Sequence, residues 1–342
     1  MSTIELSGRE KAGVFLLEQM MEYCYSAALR AAAAIGIADH LVEKPKTAAE
    51  LARDTNTDEG KLYRVLRLLA SRGVFRLSDK GQFELTPSAE YLCSKRPQSL
   101  RAGIMMLGDD TFWKPLADLA EIVKSADENP VFQRLFGGTF FEYWAKHPQS
   151  LTHFHVGMSS MSSFENQLLV RAYEFPKGAT VVDVAGNKGD VLLQVMQENP
   201  TTRGVLFDQE HIVPSHRLNE LGDDTRWETV AGNYFESIPA GDVYVLKYIL
   251  HDNSDTDCVR ILRNIRKAIR PGGRVIIMDP VIPEENVEHP GKLMDMLVMA
   301  IYAVGQERSE PHFRRLLSEA GFGLTRVVDT GFYVSIVEAV PD

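Results

Sequence analysis

The chain has 342 residues, of which 44% are hydrophobic and 25% are charged, and its formal net charge is −10. This length suits two domains that each bury a core, and the composition argues against a disordered or fibrous protein. The acidic balance disfavours a large nucleic-acid footprint, which needs clustered Lys and Arg. The sequence begins without a signal-peptide pattern, and no apolar run approaches the ~20 residues that cross a bilayer. We therefore expect a cytoplasmic protein that binds neither nucleic acid nor membrane.

The cysteines give no sign of a disulfide framework or a metal site. Cys24, Cys93 and Cys258 are widely spaced and form no CxxC or Cys/His pattern. An odd number also leaves one cysteine over in any disulfide scheme. We expect reduced thiols and no bound metal.

The first hundred residues show three helical patterns followed by a β-hairpin pattern. The segment Val14–Leu41 is predicted to be helical, with Gly36 ending one helix. A short helix opened by the capping-box residues Thr47 and Glu50 follows, and then Glu59–Ser71, capped by Asp58 or Thr57. The alternating segments Val74–Leu77 and Gln82–Leu85 flank a turn and predict the hairpin. Together these elements predict a winged helix.

Winged helices often bind DNA, so a regulator that senses a small molecule is one alternative. The third helix and its end carry Lys61, Arg64, Arg67 and Arg72. However, Asp79, Glu84 and Glu90 lie along the same region and interrupt a basic stripe. A solvated helix face explains these charges without a DNA partner.

The composition of the chain changes at Pro176–Gly178. Before it, residues from about Leu100 to Glu174 look helical and rich in aromatics, which suits a core or a pocket for a flat ligand. After it, strand and helix patterns alternate over Thr180–Val184, Asp190–Glu198, Gly204–Asp208, His211–Leu221, Trp227–Gly232, Val243–Lys247, Asp255–Ile269 and Arg274–Asp279. This alternation predicts an α/β fold with a doubly wound, mainly parallel sheet that binds ligands at the carboxyl ends of its strands. Arg326–Glu338 has the pattern of a closing antiparallel pair.

Two features of the alternating region predict a nucleotide-like ligand. The first strand runs into the turn Ala185-Gly186-Asn187 and then a helix, which lets a ligand approach the backbone closely. The second strand ends at Asp208, where an acid can accept hydrogen bonds from ribose hydroxyls. NAD and S-adenosylmethionine both fit these features.

Three further segments distinguish these ligands. Ala231–Pro239, Val245–Asp252 and Pro271–Asp279 keep the order and spacing of three sequence blocks in the small-molecule O-methyltransferases of plant phenylpropanoid and bacterial natural-product pathways. The chain resembles that family over nearly its whole length. The resemblance implies a class I methyltransferase fold, in which a Rossmann-like doubly wound sheet follows an α-helical winged-helix dimerisation domain. It also implies a homodimer and S-adenosylmethionine as cofactor.

The resemblance divides the chain and assigns the cofactor site. It implies a dimerisation domain over residues 1–100, a helical linker and substrate-binding segment over 101–175, and a catalytic domain over 176–342. The cofactor residues implied by position are Gly186, Asp208, Asn233, Tyr234 and Lys247.

By the same resemblance, His251 matches the catalytic base, and Asp279 and Glu307 match its flanking carboxylates. A phenol titrates near pH ~10, so at neutral pH a positioned base must take its proton as the new bond forms. Histidine suits that pH, and a carboxylate on its other ring nitrogen would fix its tautomer. Structural explanations stay open: His251 as a surface or capping residue, Asp279 as a cap of the Pro280–Pro283 loop, and Glu307 as an ion-pair partner of Arg308 or Arg314.

The acceptor expected from the resemblance is a hydroxyl on a small aromatic molecule of secondary metabolism. We expect a flat ring to be surrounded by Trp144, Met158 and Met161 from the helical segment and by Met296, Met299 and Tyr302 from a predicted helix Lys292–Val304. Met and aromatic stripes at helical spacing are also typical of a core.

The chain departs from the family pattern at several positions. Ala185 and Asn187 stand where the family carries glycines, Asn233 replaces an acid and Asn253 replaces a tryptophan, and Asp279 is shorter than the usual glutamate. Relatives with altered blocks use the cofactor in hydroxylation or pericyclic reactions, so a non-methylating enzyme is a second alternative. The presence of His251 and Glu307 favours methylation, because a non-methylating relative need not keep the base.

Overall fold

The computed structural model describes residues 5–125, 130–302 and 304–342, which form two compact units. The first unit contains the described residues up to Asp110 together with Gln149–Met161. The second contains the described residues of Thr111–Pro148 and Ser162–Asp342. The domain boundaries drawn after residues 100 and 175 from the sequence stay a prediction.

The first unit consists of helices and a small antiparallel sheet. Its elements are α1 (Gly8–Gln19), α2 (Tyr23–Ile35), a 3₁₀ helix (Ile37–Leu41), β1 (Lys46–Thr47), α3 (Ala48–Thr55), α4 (Glu59–Ser71), β2 (Phe75–Leu77), β3 (Gln82–Leu85), α5 (Pro87–Glu90) and α6 (Arg101–Leu107). The strand order is β1-β3-β2. The predicted winged helix is confirmed.

Side-chain caps explain where two of these helices begin. The Thr47 hydroxyl accepts from the Glu50 amide at 3.2 Å, and the Thr47 amide donates to the Glu50 carboxylate at 2.7 Å, so the predicted capping box is confirmed. The Asp58 carboxylate accepts from the Lys61 amide at 2.8 Å, and α4 has the predicted bounds.

The segment Val14–Leu41 is helical and Gly36 ends a helix, as predicted, but a break that was not predicted divides the segment. A turn at residues 20–22 separates α1 from α2, and Gly36 ends α2 with a left-handed φ of 78°. No proline or glycine stands in the turn, and nothing in the sequence explains the break. α1 buries none of its residues within this chain, and it exposes Phe15, Leu16 and Leu17 by 57%, 67% and 58%.

The second unit is an α/β domain preceded by helices. Its elements are α7 (Asp110–Ala117), α8 (Leu119–Lys124), α9 (Pro130–Phe136), α10 (Phe140–Lys146), α11 (Pro148–Ala172), β4 (Thr180–Val184), α12 (Asp190–Glu198), β5 (Arg203–Asp208), β6 (Trp227–Ala231), β7 (Gly241–Lys247), α13 (Asp255–Ala268), β8 (Ile269–Pro280), α14 (Pro290–Ile301), α15 (Glu310–Glu319), β9 (Phe322–Val328) and β10 (Val334–Pro341). Residues 149–161 of α11 belong to the first unit.

The large sheet has the strand order β6-β5-β4-β7-β8-β10-β9. Strands β6 to β8 in this order are parallel, and β10 runs antiparallel to both β8 and β9. Buried side chains pack on both faces of the sheet, with Leu262 and Leu317 on one face and Leu192 and Met196 on the other. The predicted doubly wound sheet with a closing antiparallel pair is confirmed.

Several predicted elements of this unit differ from the structure in type or in their bounds. His211–Leu221 was predicted as a helix, but only short 3₁₀ helices form there, over Val213–Ser215 and Leu218–Leu221, and Leu218 alone among their residues is buried. Helix α14 ends at Ile301 instead of Val304, since Tyr302 already has extended backbone, and residue 303 lies outside the described residues. Strand β8 begins at Ile269 instead of Arg274.

In the part of the chain that the structure describes, no helix is both long enough and apolar enough to cross a bilayer. In the same residues, no group of His, Cys, Asp and Glu side chains is arranged to hold a metal ion.

Candidate active site

The candidate site lies where strand order reverses in the second unit. From β4 the chain first adds β5 and β6 on one side, and then β7 and β8 on the other. In open α/β sheets, the crevice at such a switch point is where ligands bind, beyond the carboxyl ends of the strands. In this sheet, the carboxyl ends of the two strands at the switch point lead into the loop after β4 and the turn after β7.

The loop after β4 has an unusual backbone. Ala185 and Asn187 adopt left-handed φ angles of 55° and 54°, and Gly189 follows with 75°. Glycine adopts this conformation freely, whereas for other L-residues it costs about 1–2 kcal/mol. Ala185 and Asn187, which stand where the family carries glycines, thus adopt a backbone conformation typical of glycine, and this conformation strains the loop.

Gly186, between those residues, lies directly over the end of β4. A Cβ atom at this position would collide with the Asp183 carboxylate and would lie 2.7 Å from Leu206 Cδ1. Asp183 is buried, and its Oδ2 atom has no hydrogen-bond partner among the described residues. Burial, together with the charge of Asp208, raises the pKa of Asp183 to about 7.

Asp208, at the end of β5, is half-buried and joins two loops. Its Oδ2 accepts from the Asn187 amide at 2.8 Å, and its Oδ1 accepts from the Gln209 amide at 2.7 Å. A carboxylate has about four acceptor positions, so two remain for other donors. An unpartnered buried oxygen on Asp183 and a half-satisfied carboxylate on Asp208 fit a ligand with ammonium and ribose hydroxyl donors, as S-adenosylmethionine has.

The other predicted cofactor residues lie at the ends of β6 and β7. Asn233 is exposed, and its side chain accepts from the Phe235 amide at 2.9 Å. Tyr234 is half-buried, with its ring 4.6 Å from that of Phe235. Lys247 is the last residue of β7. The binding roles of these three residues stay predictions.

Lys247 is engaged by α11. Its ammonium group lies 2.8 Å from the Glu165 carboxylate and donates to Asn166 and Ser162 at 2.9 and 3.1 Å. The side chains of Lys247 and Glu165 are 6% and 5% exposed. Although burial alone would raise it, the pKa of Glu165 is lowered by the Lys247 charge and by hydrogen bonds from Tyr333 and Tyr248.

His251 lies in a short 3₁₀ helix, Leu250–Asp252, after β7. The guanidinium group of Arg308, which is 1% exposed, donates to the carbonyl oxygens of Leu250 at 2.6 Å and Asn253 at 2.8 Å. The Gln306 amide donates to the His251 carbonyl at 2.9 Å. One segment distant in the sequence therefore fixes the backbone on both sides of this histidine.

Both ring nitrogens of His251 face carboxylates. Nδ1 is 2.9 Å from Glu307 Oε1 in a hydrogen bond, and Nε2 is 3.1 Å from Asp252 Oδ1. The ring also stacks on Tyr248, with centroids 5.0 Å apart. Burial opposes protonation of the imidazole, but the Asp252 and Glu307 carboxylates outweigh it and raise the pKa of His251 well above 6.5.

Asp279, the second predicted flanking carboxylate, contacts the backbone beside the histidine. Its Oδ1 accepts from the Tyr248 amide at 2.8 Å, and Tyr248 has a left-handed φ of 57°. Burial raises the pKa of Asp279 to about 7 against the opposing effect of His251. The structure thus gives Glu307, and not Asp279, the hydrogen bond to the imidazole.

Aromatic rings form a continuous row next to His251. The Tyr302 ring lies 6.4 Å from the imidazole and 5.2 Å from Phe140, and the Phe140 ring lies 5.9 Å from Trp144. Phe141, which is 57% exposed, stacks on Tyr302 at 5.6 Å. Two predicted substrate residues, Tyr302 and Trp144, therefore belong to one row that leads to the histidine.

The four methionines predicted around the acceptor are half-buried. Met296 and Met299 lie on α14 in the second unit, and Met158 and Met161 lie on the part of α11 that belongs to the first unit. Their contact with an acceptor stays a prediction.

The sequence reasoning did not assign Asp183, Glu165, Asp252 or Arg308 to the site. A polar residue inside an otherwise apolar stretch was the available signal for Asp183, in Val-Val-Asp-Val, whereas Glu165 stands among polar residues and gave no such signal. Asp252 and Arg308 carry no such signal, because their roles depend on contacts that form only in the folded chain.

The family model of the O-methyltransferase domain matches residues 116–323, and that of the O-methyltransferase dimerisation domain matches residues 17–95. The chain is 36% identical to the phenazine O-methyltransferase PhzM of Lysobacter antibioticus over 95% of both chains. It is 31% identical to the O-demethylpuromycin-O-methyltransferase of Streptomyces alboniger over 95% of this chain and 88% of that protein. Among solved structures, the S-adenosylhomocysteine-bound form of CalO1, a methyltransferase in calicheamicin biosynthesis, is 42% identical with a TM-score of 0.92, over 99% of this chain and 100% of that one.

Proposed function

The chain belongs to the O-methyltransferase family and is an S-adenosylmethionine-dependent O-methyltransferase, and on this premise we propose that it methylates a hydroxyl of a small aromatic molecule with His251 as general base. The family also explains the winged helix as part of a dimerisation domain, which replaces the interpretation as a DNA-binding regulator. The relatives named above place the enzyme in natural-product biosynthesis.

The contact that carries the proposal is the hydrogen bond between His251 Nδ1 and Glu307. It fixes the tautomer with the proton on Nδ1, which leaves Nε2 as the basic nitrogen, and it stabilises the imidazolium that proton uptake creates. General base catalysis of this kind is typically worth ~10²–10⁴-fold in rate. The Arg308 contacts hold the turn so that Nε2 is presented in one orientation.

When bound, S-adenosylmethionine would supply an electrophilic methyl group, whose bond to the sulfonium sulfur would break in the transfer, with S-adenosylhomocysteine as the leaving group. His251 takes the acceptor's hydroxyl proton on Nε2 as the oxygen forms its new bond to carbon, and the imidazolium later releases that proton to water. We assign Gly186, Asp208, Asn233, Tyr234 and Lys247 to cofactor binding, with Asp183 as an added residue. The buried unpartnered oxygen of Asp183 suits an ammonium group, and Asp208 suits the ribose hydroxyls.

The row of rings from Trp144 through Phe140 to Tyr302 supports an aromatic acceptor. Flat ligands gain from offset or edge-to-face contacts with aromatic side chains. The row ends 6.4 Å from the imidazole, so an aromatic ring packed against it would carry its hydroxyl near the proposed base. Met296 and Met299 complete the part of the proposed acceptor site that lies in the second unit, and a role for Met158 and Met161 in acceptor binding stays a prediction.

We further propose that the enzyme is a homodimer in which α1 contributes to the interface. This helix buries none of its residues within one chain and exposes Phe15, Leu16 and Leu17, a pattern that marks an interaction surface. The double variant Leu16→Glu with Leu17→Glu is expected to shift the mass measured by light scattering from dimer to monomer. A monomeric wild type would contradict the proposal. A cytoplasmic location stays a prediction.

The function is tested by calorimetric binding and product mass. S-adenosylmethionine and S-adenosylhomocysteine are titrated into the wild type and Asp208→Ala. The wild type and His251→Gln are then incubated with S-adenosylmethionine and with phenol, catechol, 1-naphthol, a hydroxyphenazine or the aliphatic alcohol cyclohexanol. We expect binding that weakens in Asp208→Ala, and a product heavier by one methylene that depends on His251. Methylation that proceeds equally in His251→Gln would overturn the assignment of the base, and methylation of aliphatic alcohols alone would overturn the aromatic acceptor.

A further inference from the structure

His251 has one ring nitrogen available for catalysis, and a carboxylate already lies against it. Nδ1 is occupied by Glu307, so an acceptor hydroxyl can reach only Nε2. Asp252 Oδ1 lies 3.1 Å from that atom. The acceptor hydroxyl and the Asp252 carboxylate therefore compete for the same nitrogen.

The two carboxylates next to the His251 ring differ in how easily they can move. The Glu307 side chain is fully buried, and its backbone amide donates to Asp295 Oδ1 at 2.8 Å, so it cannot easily move. The Asp252 side chain is 23% exposed, and its contact with Nε2 lacks the alignment of a hydrogen bond, since Oδ1 has no hydrogen-bond partner among the described residues. Of the two, Asp252 is the one that an incoming group can displace.

A second partner for the displaced carboxylate is already present. Burial and the adjacent Asp252 carboxylate raise the pKa of Tyr302 well above 10, so this side chain remains a neutral hydroxyl that can donate to Asp252. When Asp252 loses its contact with the imidazole, it can therefore keep a hydrogen-bond donor. This lowers the free-energy cost of displacing Asp252 from Nε2.

We propose that Asp252 is a positioning residue that holds His251 Nε2 in the free enzyme and yields it to the acceptor hydroxyl, so that His251 becomes a base only when acceptor is bound. This inference rests on the proposed role of His251. It goes beyond that role because it assigns Asp252 as a partner that controls the base, and because it states that Nε2 is occupied in the free enzyme.

The charges around the imidazole set the direction of the effect. Asp252 and Glu307 face its two nitrogens, Asp279 lies behind it on β8, and the neutral rings of Tyr248 and Tyr302 flank it. Farther out, Asp295 and Arg308 contact Glu307 and the backbone of the turn. With both carboxylates in place, the pKa of His251 is raised well above 6.5, so the Asp252 contact favours the protonated imidazole in the free enzyme and disfavours its action as a base.

Acceptor binding lowers the pKa of His251 again, because it moves one of the two carboxylates, Asp252, away from the imidazole. As the hydroxyl replaces Asp252 at Nε2, the imidazolium proton passes to solvent, and the neutral nitrogen then accepts the hydroxyl proton during methyl transfer. An opposite charge at close range typically moves a pKa by about 1–3, so displacing Asp252 brings the pKa of His251 toward neutrality. The proton count balances without any further reactant.

The first test needs no acceptor. Histidine NMR titration of the free enzyme, with the His251 resonance assigned by its absence in His251→Gln, gives the pKa of His251 directly. We expect a value above 6.5 in the wild type and a decrease of about 1–3 in the isosteric variant Asp252→Asn. The control Asp329→Asn removes a surface carboxylate that accepts from the Gly331 amide, and it should leave the pKa unchanged. An unchanged pKa in folded Asp252→Asn would overturn the proposal.

The second test uses the phenolic acceptors of the product-mass experiment. The pH dependence of kcat/KM reports ionisation in the free enzyme, and that of kcat reports ionisation in the ternary complex. We expect both to rise with pH, with the pKa from kcat/KM above the pKa from kcat in the wild type and the two values merged in Asp252→Asn. Equal values in the wild type would contradict displacement. If no acceptor is methylated, the proposed function fails while the NMR titration still decides whether Asp252 holds the imidazole.

Discussion

The turn Leu250–Asp252 and the loop Ala185–Gly189 both follow a central strand of the same sheet, but different interactions hold them. The turn is fixed by side chains from a segment more than 50 residues away, with Arg308 on its carbonyl groups and Glu307 on its imidazole at a separation of 56 residues. The loop is held by backbone hydrogen bonds, from the Ala185 amide to the Phe207 carbonyl at 2.7 Å and from the Arg217 amide to the Lys188 carbonyl at 2.9 Å, and by one carboxylate, Asp208.

This difference separates the tasks of the two regions. A base has to present one nitrogen in one orientation, and buried charged hydrogen bonds provide that rigidity. A cofactor loop has to approach its ligand closely, so it offers its backbone. Asp183 Oδ2, at the end of β4 next to Gly186, has no hydrogen-bond partner among the described residues. Substitutions in the turn should therefore affect chemistry and folding, whereas substitutions in the loop should mainly affect cofactor binding.

The largest effect is expected from His251→Gln. Loss of the proposed base should lower kcat/KM by ~10²–10⁴-fold, with S-adenosylmethionine affinity unchanged in calorimetry. His40→Gln, in the first unit, is the matched control and should retain wild-type kinetics. A parallel loss of cofactor affinity in His251→Gln would mean that the turn and the loop are not separate in function.

The next effect is expected from Arg308→Gln. The variant removes charged hydrogen bonds to one buried and one partly buried carbonyl group, so the free energy of unfolding should fall by about 3 kcal/mol in chemical denaturation. Arg314→Gln is the control, because its ion pair with Glu310 is on the surface and should contribute under about 0.5 kcal/mol. If the free energy of unfolding falls equally in the two variants, the stability of the turn does not depend on the Arg308 hydrogen bonds.

A smaller effect, confined to the loop, is expected from Asp208→Asn. The amide keeps one acceptor but loses the charge, so we expect the dissociation constant for S-adenosylmethionine to rise by about 10- to 100-fold. Glu210→Gln changes an exposed acid two residues away and should leave binding unchanged. If Asp208→Asn instead lowers kcat at saturating cofactor, the loop takes part in more than binding.

The smallest effect is expected from Ala185→Gly. Relief of the left-handed strain should exceed the added flexibility of the unfolded chain and raise the free energy of unfolding by up to about 1 kcal/mol. The same change at Ala268, the last residue of α13, removes a helical alanine and should destabilise by ~0.5–1 kcal/mol. Destabilisation at both positions would indicate that the Ala185 backbone is not strained.

The sequence predicted elements well where local signals are strong. Helices α4 and α12 have their predicted bounds, because a capping Asp58 and a left-handed Gly189 mark their beginnings and an apolar stripe follows. Prediction failed where packing decides, as in the break between α1 and α2 and in the 3₁₀ segments within His211–Leu221.

The residues of the candidate site were likewise predicted in part. Motif positions such as His251 and Asp208 stand at strand ends and were visible in the sequence. The identity of their partners was not, because Arg308, Glu165 and Asp252 act through contacts that have no sequence pattern. Glu307 was found only through the family resemblance, and its alternative ion pair with Arg308 or Arg314 gave way to a hydrogen bond with His251.

The central claim, that His251 removes the acceptor's proton, is tested most directly by a series of phenols of graded pKa, with the same scaffold, methylated by the wild type and by His251→Gln at one pH. A phenol that is already ionised needs no base, so the rate loss in the variant should be ~10²–10⁴-fold for phenols with pKa well above the assay pH and should vanish as the pKa falls below it. A loss that stays constant across the series would contradict the claim, because it would mean that His251 only positions the acceptor.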